Sequence, residues 1–178
     1  MRKILCVLVV SLQAATARAA ESAPAAPPMP PEVKKTVDAF NGKWVFDGVV
    51  SMEGKQVKGK ITIDCKKIAL GNAVMCTMKG TLPGFPPEDN GVMVGYDMGG
   101  KVVHFMAMTT GGEMHDHKCQ WKDEKTLSCD PLAYIAMDGS AATEDLSFSW
   151  SDPKTSSFKA LITVGSMKVT FEGAGKRK

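Results

Sequence analysis

The sequence predicts an all-β protein whose strands run up and down and close into an antiparallel barrel of about eight to eleven strands, preceded by one short helix. Three observations predict it. From Gly42 onward the chain consists of short runs rich in Val, Ile, Thr and aromatic residues, which pack well on a pleated surface. Gly, Pro, Asn or Asp interrupts these runs about every eight to twelve residues, as in strands joined by short turns rather than by crossover helices. Only the stretch just before Gly42 carries a helical period. An open sheet of so many strands would leave exposed edges; closure removes them and leaves an interior wide enough for a small ligand. A β-sandwich is the competing arrangement.

In chain order, Met1-Arg2-Lys3 is a positive start, Ile4 to Leu12 is an apolar run, and Ala17-Arg18-Ala19 places small residues where a signal peptidase reads them. Residues 1–19 are therefore expected to be a cleaved signal peptide, taking Cys6 with them. The apolar run is too short to remain as a transmembrane anchor, which needs roughly 20 residues. The chain is expected to be exported, either periplasmic or secreted. Cleavage would remove three basic residues and no acid, so the formal charge of +3 would become zero, with 19 basic residues against 19 acidic. No basic face with interleaved aromatics remains, and a nucleic-acid partner is not expected. Residues 20–31, rich in Ala and Pro, read as an extended tether.

The domain itself spans 32–175. Proline and glutamate at 31 and 32, apolar residues at 33, 37 and 40, and Asn41-Gly42 as a stop predict a helix ending at Phe40. Strands are expected at 43–51, 57–65, 73–81, 91–97, 101–109, 113–121, 125–130, 132–138, 143–151, 156–164 and 166–173. The stretch Ala133-Tyr-Ile-Ala-Met137 alternates poorly, as expected of a strand buried on both faces or one lining a core from an insertion. Residues 176–178, Lys-Arg-Lys, read as a solvated basic tail.

Four cysteines would survive processing, and they allow three pairings. The strand assignment favours Cys65 with Cys76 across a turn near Leu70-Gly71, and Cys119 with Cys129 across a turn near Asp123. No closely spaced Cys-x-x-Cys or Cys-x-x-His pair points to zinc instead.

All three histidines fall in one expected hairpin. His104, Met106 and Met108 share one strand parity, and Glu113, His115 and His117 share another. A two- or four-residue turn around Thr110-Gly111 would set His104 opposite His117 and Met106 opposite His115, converging imidazoles and a thioether on one face. That donor set suits copper, and the imidazoles alone suit zinc or nickel. A three-residue turn would scramble this register. His104, Met106, His115 and His117 are the candidate metal ligands.

No G-x-S-x-G elbow, H-E-x-x-H, H-x-E with C-x-x-C or dinucleotide-binding glycine motif is present. Gly173-Ala-Gly175-Lys176 lacks the earlier glycine and the following helix of a phosphate loop. The balance favours a binding protein over an enzyme, and nothing in the chain sets an oligomeric state.

Gly42-Lys-Trp44 opening the first strand, Leu70-Gly71-Asn72 before a strand ending in Gly80-Thr81, and Gly91-Val-Met-Val-Gly95-Tyr96-Asp97 together resemble a group of uncharacterised bacterial exported proteins with a lipocalin-like, calycin-type barrel. The resemblance covers roughly residues 36–122. It implies a closed meander with Trp44 near the closed end, and no reaction. Related haem-binding barrels place a histidine late in the chain; none follows His117, so haem is not implied. The four cysteines and the stretch from Asp130 to Ser140 depart from the pattern. Trp44 and Tyr96 are the candidate ligand contacts. The expected function is an exported, disulfide-stapled barrel that binds a small apolar or amphipathic molecule. The alternatives are metal handling through the His/Met hairpin and an interaction module of the envelope.

Overall fold

The computed structural model describes residues 28–81 and 87–178; the expected signal peptide, Cys6 and residues 20–27 of the tether lie outside the described residues. One helix, α1 (Pro31–Phe40), is followed by eleven strands: β1 (Gly42–Met52), β2 (Lys55–Ile68), β3 (Ala73–Thr81), β4 (Glu88–Asp97), β5 (Val102–Met108), β6 (Met114–Trp121), β7 (Thr126–Cys129), β8 (Leu132–Ile135), β9 (Ala141–Asp152), β10 (Thr155–Val164) and β11 (Met167–Arg177). Every neighbouring pair is antiparallel. Following β1 through β7, then β9, β10, β11 and back to β1, the hydrogen bonds close a ten-strand barrel. The fold class expected from the sequence is thus the one observed, and the sandwich is not.

The meander is broken once. β7 and β8 both lie on the same flank of β9, β7 against Ser147 to Ser149 and β8 against Ala141 to Glu144. They act as two segments of one wall position, divided at Asp130-Pro131, where proline cannot donate to a ladder. The β6 ladder to this wall covers only Cys119–Trp121. Lys118 O still accepts from Asp130 N. β8 is thus an eleventh strand that continues the wall position of β7 along β9.

The interior is filled from the α1 end. Val33, Thr36, Val37 and Phe40 of α1 are buried, and Phe40 sets its ring 5.2 Å from Phe148, 5.4 Å from Trp150 and 6.1 Å from Phe105. Trp44 Nε1 donates to Phe40 O (3.1 Å), and Trp121 Nε1 donates to Thr36 Oγ1 (3.2 Å), so two indole N–H groups tie strand to helix. Arg177 completes the plug. Its guanidinium donates to the helix-terminal carbonyls of Asp38 (2.7 Å) and Ala39 (3.0 Å) and lies 4.5 Å over the Trp44 ring. A cation there satisfies carbonyls left without partners at a helix C-terminus. Lys176 and Arg177, read as a basic tail, are in fact the end of β11, because Phe171, Gly173, Gly175 and Arg177 continue the inward parity of the strand.

Both favoured disulfides form. Cys65 and Cys76 are direct cross-strand partners on β2 and β3, and Cys119 and Cys129 are partners on β6 and β7. No helix among the described residues is long and apolar enough to cross a membrane.

Candidate functional site

At the end of the barrel opposite α1, the inward side chains stop short of filling the space and leave a cavity of about 290 Å³. Its floor and most of its wall are apolar: Val50, Ile61, Phe105, Leu146, Phe158, Ala160 and Phe171. The rest is polar and one-sided. His115 and His117 reach in from β6 and Glu144 from β9, with Glu88, Asn90, Glu113 and Tyr134 around them. Three carboxylates line the cavity, and among the described residues no Lys or Arg does.

The β5–β6 loop determines which histidines enter. Thr109 N donates to Glu113 O and Gly112 N to Thr109 O, closing a three-residue turn, Thr110-Gly111-Gly112, in which Gly112 takes φ +82°. That positive φ is what the last position of such a loop requires. Thr110 N donates to the side chain of buried Asn90 (2.8 Å) and its hydroxyl accepts from Asp89 N (2.7 Å), pinning the loop to β4. The resulting register pairs His104 with Lys118, Phe105 with His117, Met106 with Asp116 and Ala107 with His115. The two-residue alternation then sends His115 and His117 inward and His104 and Met106 outward.

The four expected metal ligands are therefore not on one face. His104 Nδ1 lies 2.8 Å from Asp116 Oδ1 on the outer surface, and Met106 is flanked there by Met93 and Asp116. Trp44 and Tyr96 are also outside the cavity lining. Each stands six residues along its strand from a lining residue, Val50 and Asn90, and six residues of strand span roughly 20 Å. Trp44 is buried in the α1 plug; Tyr96 borders a groove with Pro31, Glu32 and Trp121. Glu144 went unrecognised in the sequence, although it shares inward parity with Ala142, Leu146, Phe148 and Trp150. One carboxylate within an apolar row was the available signal.

His115 Nδ1–H donates to Glu144 Oε2 at 2.9 Å, and His117 Nε2 lies 3.3 Å from the same oxygen. His115 is 6% exposed and His117 1%. Their outer nitrogens, His115 Nε2 and His117 Nδ1, are buried without a hydrogen-bond partner among the described residues; the former is 3.7 Å from Glu113 Oε2. The Tyr134 ring packs 4.3 Å from the His115 ring. Burial by itself would raise the Glu144 carboxyl, but the two histidines outweigh it and hold the group at about 2. The hydrogen bond to Glu144 raises His115 against the opposing effect of burial, helped by the charges of Glu144 and Glu113. Burial, then those same carboxylates, push the Tyr134 phenol up to about 12, keeping it a donor. The donor atoms of His115, His117 and Glu144 all lie within 4.8 Å of one another, a group that could hold a metal ion.

These shifts predict a pH dependence for chelator-treated protein. Glu144 contributes stability fully above its ordinary value of 4.5 and loses it as pH falls toward about 2. His115 contributes fully below its ordinary 6.5 and loses it as pH rises through its raised folded value. The cluster, faced by Glu113, Glu88 and Tyr134, therefore stabilises most between about 4.5 and 6.5. Thermal unfolding of wild type and Glu144→Gln across pH 2–9 checks this: their difference should peak in that window, and a difference independent of pH would contradict it.

No family model matches this sequence, and no curated protein matches it. Among solved structures, the S-type phycobiliprotein lyase CPES from Guillardia theta is similar, with 9% identity over 83% of this chain and 95% of its own and a TM-score of 0.56. EF1p2_mFAP2b bound to DFHBI is 10% identical over 82% of this chain and 99% of its own (TM-score 0.46). A redesigned β-barrel, b11L5F_LGL, is 12% identical over 81% and 96% (TM-score 0.41). At these identities the likeness to the lyase is one of fold alone, and it agrees with the all-β barrel expected from the sequence.

Proposed function

We propose that this protein is an exported β-barrel that binds a small amphipathic molecule inside the barrel, apolar end down and polar end toward His115, His117 and Glu144. The single observation that carries the reading is the one-sidedness of the cavity: an aromatic and aliphatic floor beneath a buried polar cluster in which His115 Nε2 and His117 Nδ1 lack partners among the described residues. An apolar pocket with a few convergent polar groups is the usual form of a small-molecule site. The size of the cavity restricts the occupant to a small ligand. Among the described residues its lining has carboxylates and no Lys or Arg, which disfavours fatty acids and other anions as long as no cation occupies the cluster, since a second buried negative charge would go unpaired. The two disulfides and the signal-like N-terminus support export into an oxidising compartment.

N-phenyl-1-naphthylamine, a neutral apolar dye with one N–H donor, tests the proposal. Its fluorescence should rise saturably at one dye per chain. Ala160→Phe, which places a ring in the cavity, should weaken binding at least about tenfold while leaving the far-UV circular dichroism unchanged. Ala107→Leu, from the opposite wall, guards against a folding defect in the first variant. Binding unchanged in both folded variants would place the dye elsewhere and overturn the reading.

A further inference from the structure

We propose that His115 Nδ1, His117 Nε2 and Glu144 Oε2 form a binding site for a divalent transition-metal ion of the zinc type, with an open coordination position facing the cavity. Four observations carry it. The first is chemical: two imidazoles and one carboxylate are borderline ligands that suit zinc and its neighbours, and three protein ligands leave a fourth position free. The sulfur donors that would favour copper(I) are absent from this set, because Met106 lies on the other face of β5 with His104.

Distance is the second. Bonds of about 2.0–2.2 Å in a tetrahedral site put ligand atoms roughly 3.2–3.6 Å apart. Two of the separations here are 2.9 and 3.3 Å, and one donor atom from each of the three residues lies within 4.8 Å of the other two. Small side-chain rotations would bring all three to one ion.

Third, the hydrogen bonding of the cluster is incomplete in a way that an ion would mend. Both histidines direct a nitrogen at one carboxylate oxygen, and each keeps its other nitrogen buried and unpartnered. With an ion bound, the lone pairs of His115 Nδ1 and His117 Nε2 would go to the metal, and each neutral ring would carry its proton on the other nitrogen. His115 Nε2–H then points toward Glu113 Oε2, now 3.7 Å away. A carboxylate behind a ligating histidine is the usual outer support of such sites.

The fourth observation is where the site stands. His115, His117 and Glu144 line the cavity together, so the open position would face the space assigned to the ligand. That the ligand's polar end meets the ion rests on the amphipathic-ligand reading; the ion site itself does not.

Zinc titration of chelator-treated protein by calorimetry, without dye, tests the site. One equivalent should bind in the micromolar range or tighter, and Glu144→Gln or His117→Gln should weaken binding at least about a hundredfold. His104→Gln, on the outer face, should leave it unchanged. Cobalt should show the visible bands of a four- or five-coordinate ion. Because buried-site variants can unfold, the wild-type protein supplies a second readout: zinc should shift the ring resonances of His115 and His117 and not those of His104. Millimolar or weaker binding, or equal loss in His104→Gln and His117→Gln, would overturn the proposal. Dye binding that persists alongside such a result would leave the ligand reading standing; zinc bound at the cluster with no dye taken up would do the reverse.

Discussion

Phe148→Ala is expected to lower the unfolding free energy by about 3–5 kcal/mol, the range for removing a large buried aromatic side chain. Phe148 is buried on β9 where the closed end meets the floor of the cavity. Its ring lies 5.2 Å from Phe40, 5.3 Å from Phe105 and 4.9 Å from Phe158, so it links α1, β5 and β10 at once. Neighbours drawn from three separate elements cannot collapse together onto the gap. The loss is a large share of the roughly 5–15 kcal/mol that holds a domain folded. Urea unfolding followed by tryptophan fluorescence checks this, with Val49→Ala on the outer face as comparison. Val49 is 38% exposed, and its truncation should change stability by about 0.5 kcal/mol or less. Equal effects at the two positions would mean that the aromatic cluster is not the core.

Gly48→Ala is expected to cost about 3 kcal/mol, at the upper end of the overpacking range. Gly48 of β1 stands in register with Gly59 of β2 and Gly173 of β11. A Cβ at position 48 would come to 2.4 Å from Glu172 O and 2.7 Å from the Gly173 Cα, and to 2.8 Å from the Phe171 ring. The first two are backbone atoms of a paired strand, so relief would require parting the β1–β11 ladder that helps close the barrel. Gly91 on β4 supplies the contrast: nothing lies within 4 Å of a Cβ there. Gly91→Ala should be neutral or stabilise by about 0.5 kcal/mol, because alanine has less freedom to lose on folding. Calorimetric unfolding of both variants separates the cases, and a similar cost at both sites would contradict the close approach of β1 and β11.

The barrel was legible because its strands carry their own punctuation. From β1 to β11 the apolar and β-branched runs end at turn residues, and cysteines placed across two expected hairpins found their partners. The site was only half legible, for a reason of parity. A two- or four-residue turn and a three-residue turn at Thr110-Gly111-Gly112 differ by one residue, yet that residue decides whether His104 and Met106 share a face with His115 and His117. Local spacing carries no information about which turn the loop adopts, and the pinning of Thr110 by Asn90 comes from another strand. Glu144 is 29 residues from His115 and meets it only because β9 lies beside the β7–β8 wall. Arg177 was misread for a similar reason. Among Lys176, Arg177 and Lys178 it looks like part of a solvated tail, and only the inward parity of β11 and the helix-terminal carbonyls of α1 give it a place.

Whether the barrel interior is the binding site is decided by methyl-resolved NMR of the full chain during titration with N-phenyl-1-naphthylamine. Shifts are expected at Ala107, Leu146, Ala160 and Ile162, which line the cavity, with Met75 and Met93 on the outer surface unmoved. Shifts confined to Met75, Met93 and their outer neighbours, with the interior methyls unmoved, would contradict it.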